Sequence, residues 1–327
     1  MLLPNILRRG AGRIALIDAL RGTALLAMFA FHLTWDLAYF GYINAGIVFE
    51  RAFSVFGDTI ASTFLAVAGA SLVLAHVPRF RPRAYLRHLA IIIAAAAAVS
   101  LATYIFIPEG FIFFGILHCI ALATLIALPF IFLPWWAAAI VAIVAIGAPR
   151  LLVSPAFDVP LWWWTGLSTF EPRSNDYRPI LPWLGVLIAG LAAMKIGDRF
   201  GLRERLAPWQ PRNAFSRCFV FAGRHSLAIY LIHQPVFFGL VWLLAMVAPP
   251  HGAAAEARFF ASCRVQCERG GQPQSICGAV CTCLADELRE EDLWTRTITN
   301  RLQPEERERL SDMARSCIRE KRRLNEE

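Results

Sequence analysis

Four ionisable side chains share one face of the first apolar segment of the chain. The segment RIALIDALRGTALLAMFAFHLTWDLAYFG, residues 13–41, carries Asp18, Arg21, His32 and Asp36. At 100° per residue, these four positions fall within about 60° of one another on a helix. Asp18 and Asp36 lie roughly 27 Å apart along the axis, most of the thickness of a hydrocarbon core. Because charge at that depth normally faces a protein interior or a wet cavity, the pattern predicts a functional site.

His32 is the residue in this stripe that is best suited to proton transfer. An imidazole changes charge near neutral pH, so His32 can act as a general base. Asp36 lies one helical turn further on, where it can orient the ring and stabilise the imidazolium. The alternative interpretation is that these groups only form hydrogen bonds between helices.

Two other segments contribute polar residues. In GRHSLAIYLIHQP, residues 223–235, Tyr230 and His233 lie on one helical face, and Gln234 follows them. Pro235 predicts a kink at this point. The sequence GILH places His118 in another apolar segment. Proton transfer and structural hydrogen bonding are both open for these side chains, and the structural interpretation is favoured for His118.

The elements that must position these residues are transmembrane helices. Hydrophobic residues make up 57% of the chain, and long apolar runs recur along it. This composition excludes a soluble domain and predicts an all-α, polytopic bundle of about seven spans. The predicted spans are 14–41, 56–76, 87–107, 111–130, 134–149, 179–197 and 218–248.

Basic residues predict the orientation of the bundle. They cluster in three segments, before the first span, between the second and third, and between the sixth and seventh, which the predicted spans place on the same side. These residues are Arg8, Arg9 and Arg13; Arg79, Arg81, Arg83 and Arg87; and Arg199, Arg203, Arg205, Arg212 and Arg217. The positive-inside rule makes that side the cytoplasm. The net charge of +8 is then explained by topology, so nucleic-acid binding is not expected.

The C-terminal tail, residues 251–327, is predicted to be a separate helical domain. It contains six of the eight cysteines. The C-x3-C spacing puts each pair on one helix face, and two such helices could join Cys263 to Cys281 and Cys267 to Cys277, leaving Cys283 for Cys317. Six cysteines allow fifteen pairings, so others stay open. An odd span count places the tail on the extracytoplasmic side, in an oxidising compartment where disulfides persist; a zinc site is the rival interpretation.

Four motifs, in this order, resemble the catalytic domain of the heparan-α-glucosaminide N-acetyltransferase family over residues 12–248. They are RIALIDALRGTALLAMFAFHLTWDL, FGILHCIALATLI, YRPILPWLGVLIAG and GRHSLAIYLIHQPVFFGL. The D-x-x-R-G sequence with a following histidine is the most specific part, and the tail lies outside the resemblance. The resemblance implies acyl transfer from cytosolic acetyl-CoA across the bilayer to an amine or hydroxyl, with His32 as the catalytic histidine.

The chemistry of a thioester fits these residues without a metal. The reaction needs a base for the proton of the acceptor and donors for the oxyanion. His32 is either that base or a covalent acyl carrier. Asp36 is its catalytic partner, and the supporting residues are Asp18, His118, Tyr230, His233 and Gln234. The candidates for the phosphates of coenzyme A are Arg21, Arg224, Arg81 and Arg83.

An extracytoplasmic, sugar-containing acceptor is expected to meet the external loop 149–179 and the residues that follow it. The candidate acceptor-binding residues are Tyr177, Arg178 and Trp183. We expect the protein in a bacterial inner membrane, with the N-terminus in the cytoplasm and a homo-oligomer possible. The competing classes are a proton-coupled transporter that uses the same stripe and a membrane scaffold with a partner-binding tail.

Overall fold

The computed structural model describes residues 14–248, 252–298 and 302–326, and these residues form helices and loops with no strand. The basic residues Arg8, Arg9 and Arg13 lie outside this part of the chain. The all-α prediction is confirmed. The α-helices are α1 (Ala15–Tyr39), α2 (Arg51–His76), α3 (Pro82–Phe106), α4 (Ile116–Ile126), α5 (Trp135–Leu152), α6 (Ile180–Arg199), α7 (Leu202–Leu206), α8 (Ala214–Arg224), α9 (Ser226–Val247), α10 (Gly252–Arg269), α11 (Gln274–Glu290), α12 (Trp294–Ile298) and α13 (Pro304–Glu326).

Six of the described helices are long and apolar enough to cross a membrane, which confirms a polytopic membrane protein. They are α1, α2, α3, α5, α6 and α9. The predicted fourth span, 111–130, is organised differently: α4 has 11 residues, and a 3-10 helix, Leu128–Ile131, follows it. An 11-residue helix is about 16 Å long, which is too short to cross the hydrocarbon core by itself.

Backbone contacts divide the chain into two compact units. The first unit comprises Met1–Met28 and Asp58–Ile232, and the second comprises Phe29–Gly57 and His233–Glu327. Helices α1, α2 and α9 each contribute to both units. Because the two units divide within these helices, they do not test the domain boundary that the sequence predicts near residue 250. That boundary stays a prediction.

The first unit is built around α6. Leu187, Ile188 and Leu191 are fully buried there. The backbones of α2 and α6 touch through two glycines: a Cβ on Gly69 would lie 1.9 Å from the carbonyl oxygen of Leu187, and one on Gly190 would lie 2.1 Å from the oxygen of Ala66. Small residues allow transmembrane helices to approach this closely and gain dispersion contacts.

The segment that contains α4 still runs from one end of the first unit to the other. Near its start, the Ser100 hydroxyl at the C-terminal part of α3 donates to the carbonyl of Ile112. Near its end, the Tyr85 hydroxyl at the start of α3 donates to the carbonyl of Thr124 (3.0 Å), and Lys195 near the end of α6 donates to the carbonyl of Phe130 (2.7 Å). A short helix, a 3-10 turn and extended residues together therefore cover the distance that α3 and α6 cover as single helices.

The second unit contains the cysteine-rich tail. Helices α10, α11 and α13 enclose a small core that includes Val280, Leu284 and Leu288. The structure has the disulfide pairing that the sequence analysis put forward, with the bonds Cys263–Cys281, Cys267–Cys277 and Cys283–Cys317. The zinc interpretation is wrong for these six residues, since all of their sulfur atoms are in disulfides.

Candidate functional site

The second unit brings His32 and Asp36 of α1 together with His233 and Gln234 of α9. The two imidazole rings lie with their centroids 5.0 Å apart. The Gln234 side-chain amide donates to Oδ1 of Asp36 at 3.0 Å. The segments 13–41 and 223–235, which the sequence analysis singled out separately, therefore form one polar cluster. Below, these four residues are called the His32 cluster.

Two oxygen atoms in the His32 cluster are buried hydrogen-bond acceptors. Asp36 is fully buried, and its Oδ2 atom finds no hydrogen-bond partner in the described part of the chain; the same holds for Oε1 of Gln234. A buried polar atom left without a partner costs about 1–3 kcal/mol, and a charged one costs more. The cluster is thus suited to a ligand that donates hydrogen bonds to both oxygens.

The structure does not link Asp36 to His32 directly. No hydrogen bond joins these two side chains among the described residues, and Asp36 is held by Gln234 instead. His32 is half-buried, with its ring edge-on to Phe31 and tilted against His233. Aromatic contacts therefore orient the imidazole here, and the role predicted for Asp36 as its direct orienting partner stays a prediction.

In the first unit, Asp18 is a buried carboxylate shared by two arginines. Its side chain is 2% exposed, and its Oδ2 lies 3.3 Å from Nε of Arg224. Its Oδ1 lies 3.8 Å from Nη1 of Arg21, and Nη2 of Arg21 donates to the Ser71 hydroxyl at 2.7 Å. Two guanidinium groups around one carboxylate leave a net positive charge at this place.

The D-x-x-R-G and G-R-H-S motifs each contain a glycine at which two helices touch. A Cβ on Gly22 would lie 2.1 Å from the carbonyl oxygen of Phe219, and one on Gly223 would lie 1.7 Å from that of Asp18. The backbones of α1 and α8 are therefore in contact, which puts Arg224 beside Asp18. The D-x-x-R-G and G-R-H-S motifs together form one helix crossing closed by ion pairs.

The remaining donor candidates, Arg81 and Arg83, lie at the start of α3. Both side chains are exposed, and the described residues place no carboxylate in an ion pair with either. The backbone amide of Arg81 donates to Nδ1 of His76 at 3.4 Å. These arginines are available to an anion approaching this end of the first unit.

The three candidate acceptor-binding residues lie close together at the start of α6. The Arg178 guanidinium lies 4.9 Å from the centre of the Trp183 ring and 2.5 Å from Oδ1 of Asp58. The Tyr177 hydroxyl donates to the carbonyl of Trp163 at 2.5 Å. Burial, together with the charge of Glu171, raises the pKa of Tyr177 to about 12, so its phenol stays protonated at neutral pH.

Two further candidate residues, His118 and Tyr230, belong to the first unit. Nδ1 of His118 accepts from the amide of Gly115 at 3.2 Å, and its Nε2 lies 3.1 Å from the Ser100 hydroxyl. With Nδ1 accepting, Nε2 carries the proton, so both ring nitrogens are engaged in local structure. Tyr230 packs against the hydrophobic cluster that contains Leu117.

Two residues that matter to these sites were missed from the sequence. Asp58 pairs with Arg178, and Ser71 accepts from Arg21. An acidic residue within the apolar second segment was a usable signal for Asp58, because it is as costly there as Asp18 is in the first. Serine carries no such signal, since it is tolerated at many helix positions.

A family model described as "Heparan-alpha-glucosaminide N-acetyltransferase, catalytic" matches residues 13–235. The chain belongs to this family. No curated protein and no solved structure matches it. The match includes the His32 cluster, the Asp18 ion pairs and the residues around Arg178, and it ends before the disulfide-bonded tail. The protein is therefore a member of a family of transmembrane acetyltransferases, and residues 236–327 lie outside the match.

Proposed function

We propose that the protein transfers an acetyl group from cytosolic acetyl-CoA to the amine of an extracytoplasmic, sugar-containing acceptor. The observation that carries this proposal is the His32 cluster, which has two imidazole rings with centroids 5.0 Å apart and two buried oxygens without a hydrogen-bond partner in the described part of the chain. The acceptor nitrogen attacks the thioester carbonyl, the C–N bond forms, and the C–S bond breaks. His32 takes the proton that the nitrogen loses, and coenzyme A leaves as its thiolate, which is then protonated.

His32 acts either directly or as a carrier of the acetyl group. In the direct route it removes the proton while the amine attacks acetyl-CoA. In the covalent route its ring nitrogen first takes the acetyl group and then gives it to the amine, which produces ping-pong kinetics. The half-buried ring is accessible enough for either route.

The number of hydrogen-bond-accepting oxygens in the His32 cluster favours an amine substrate over a hydroxyl substrate. Oδ2 of Asp36 and Oε1 of Gln234 both lack donors in the described part of the chain. A neutral primary amine has a lone pair for attack and two N–H groups: His32 takes one proton, and the other N–H can donate to one of these oxygens. A hydroxyl has one hydrogen, which has to go to the base. A site with two buried acceptors therefore loses a hydrogen bond with an alcohol, and a buried unpaired acceptor discriminates strongly.

The phosphates of acetyl-CoA are proposed to bind four arginines of the first unit. Arg81 and Arg83 are exposed and present their charges without an ion-pair partner in the described residues. Arg21 and Arg224 share the single carboxylate of Asp18, so this cluster keeps a net positive charge that attracts an anion. At the acceptor side, the partly exposed Tyr177 offers a flat face and Arg178 offers hydrogen-bond donors, while the buried Trp183 lies beneath the Arg178 guanidinium and supports it.

A direct test compares paired amine and alcohol acceptors. Purified protein in lipid nanodiscs is incubated with [14C]acetyl-CoA and either glucosamine or glucose, which differ only at C2. We expect transfer to glucosamine, at a rate at least about a hundredfold above that to glucose. The Gln234→Leu variant, which removes one acceptor oxygen, should reduce this preference. Equal transfer to both sugars would contradict the amine proposal. If neither acetyl transfer nor cleavage of acetyl-CoA occurred with any acceptor, the result would favour a transporter.

We also propose that the N-terminus is cytoplasmic and the tail extracytoplasmic in a bacterial inner membrane. Six long helices together with the segment around α4 give seven crossings, which is an odd number. The basic loops at 77–81 and 200–213 then lie on the same side as the N-terminus, as the positive-inside rule requires. An oxidising compartment for the tail agrees with its three disulfides.

The chain has its own thiol control for this topology. Cys218 on α8 is a free, exposed cysteine in the half proposed to face the cytoplasm, and Cys119 is free but buried. A membrane-impermeant maleimide should leave intact spheroplasts unlabelled, label the tail after treatment with an impermeant reductant, and label Cys218 only after permeabilisation. The Cys218→Ser variant identifies that last signal. Tail labelling that requires permeabilised cells would reverse the assignment.

A further inference from the structure

The tail makes specific contacts with the end of the helix that carries His32. Arg258 of α10 donates through Nη1 to the carbonyl of Tyr39, the last residue of α1. Through Nη2 it donates to the carbonyl of Ile298, the last residue of α12. One half-buried guanidinium thus joins two helix C-termini, where carbonyl groups lack partners within the helix and a positive charge is favourable.

Two further contacts tie the same region together. The Tyr42 hydroxyl, just after α1, donates to the carbonyl of Ala248 at 2.6 Å, and Ala248 directly follows α9. Further along this connection, the Arg269 guanidinium at the end of α10 lies 5.9 Å from the centre of the Phe49 ring. Contacts therefore run along the whole connection from α1 to α2.

Helix α10 is held in place by disulfides. Cys263 and Cys267 lie five and nine residues after Arg258 and are bonded to Cys281 and Cys277 of α11. Another ion pair, between Glu256 of α10 and Arg289 of α11 (2.7 Å), lies on the other side of Arg258 in the sequence. A guanidinium mounted on so constrained a helix loses little freedom when it binds the two carbonyls.

We propose that the C-terminal domain holds the end of α1, the helix that carries His32, in a fixed position, and that Arg258 is the positioning residue through which it acts. Below, the contact of Arg258 with the end of α1 is called the clamp. His32 and Asp36 lie within the last two turns of α1, so fixing the Tyr39 carbonyl fixes the helix end that carries them. The clamp is intact only while the disulfides hold α10 against α11. This inference rests on the proposed function for its effect on rate, but the physical contact is tested independently of any activity.

Hydrogen–deuterium exchange of the full-length protein tests the clamp. The amides of Phe40, Gly41 and Tyr42 close the end of α1 by bonds to residues 36–38. In Arg258→Ala these amides should exchange about tenfold faster, the effect of losing one charged hydrogen bond. Arg258→Lys should fall between, because an ammonium cannot reproduce the two-pronged guanidinium contact. The matched control, Arg264→Ala, alters an exposed arginine on the same helix and should behave like the wild type.

Reducing the disulfides of the tail tests the same contact in a second, independent way. A reductant should speed exchange of these three amides in the wild type, and should add little in Arg258→Ala, because both changes remove the same contact. Exchange in Arg258→Ala equal to that in Arg264→Ala would overturn the clamp, as would a reductant effect of full size in Arg258→Ala.

Kinetics distinguish failure of the clamp from failure of the proposed function. If the wild type transfers acetyl groups, Arg258→Ala should lower kcat about three- to tenfold with the KM for acetyl-CoA unchanged, since donor binding does not involve this helix end. An unchanged kcat would overturn the positioning role. If the wild type transfers nothing, the proposed function fails, and the exchange comparison still decides whether the clamp exists.

Discussion

Replacing His32 by alanine is expected to lower acetyl transfer by about 10²- to 10⁴-fold while the protein still inserts and folds. General acid–base catalysis contributes an acceleration of that order, and covalent catalysis would be lost completely. The half-buried ring makes no hydrogen bond to other described residues, so its removal leaves no polar partner stranded. Initial rates with labelled acetyl-CoA, alongside thermal stability in detergent, measure both effects.

The matched control is His225→Ala. His225 is an exposed histidine at the start of α9 whose ring contacts Phe221. It should retain the wild-type rate. Intact-mass measurement after acetyl-CoA is added without acceptor separates the two routes, since a gain of one acetyl group that His32→Ala abolishes identifies the covalent one. Near-normal turnover in His32→Ala would rule out both.

Replacing Gly223 by alanine is expected to prevent stable folding of the first unit. The added Cβ would lie 1.7 Å from the carbonyl oxygen of Asp18, so α8 has to move away from α1. Overpacking alone costs about 1–3 kcal/mol, and the movement also separates Arg224 from the buried Asp18 carboxylate. Weakening one of the ion pairs of this buried carboxylate adds to that cost, although Arg21 stays beside it. We expect aggregated or degraded protein, measured by fluorescence-detected size exclusion.

Gly239→Ala is the control for this change. Gly239 lies within α9, and a Cβ there would meet nothing within 4 Å. Alanine is a better helix former than glycine by roughly 0.5–1 kcal/mol, so this variant should be at least as stable as the wild type. If both variants gave the same melting temperature, α1 and α8 would not be in backbone contact, and the explanation of the two motifs would fail.

The fourth apolar segment shows where sequence reasoning lost accuracy. Hydropathy identified a crossing at 111–130, and the contacts of Ile112 and Phe130 do place its ends at opposite ends of the first unit. It did not show that only Ile116–Ile126 is α-helical. Hydropathy measures how apolar a segment is, whereas the helix ends depend on caps supplied by distant residues, such as the Asp176 carboxylate that accepts from the Ile116 amide at 2.8 Å.

The roles of individual polar residues depended more strongly on distant partners. Helical periodicity showed that Asp18, Arg21, His32 and Asp36 share a face. It gave no indication that Asp18 pairs with Arg224, or that Asp36 is held by Gln234, because these partners lie about 200 residues away in the sequence. If Arg21 and Arg224 bind the phosphates of acetyl-CoA, they do so while they also form ion pairs with Asp18.

The sequence by itself determined the class of protein and its family, and it put forward the disulfide pairing of the tail that the structure contains. Each of these depends on local features: apolar runs of bilayer length, motifs in a fixed order, and cysteines spaced one helical turn apart. The tertiary structure decided which polar groups meet. It pairs Asp36 with Gln234, buries one oxygen of each without a partner in the described part of the chain, and places Arg258 at the end of α1. Helix periodicity fixes the face on which a side chain lies, but only packing determines what that face contacts.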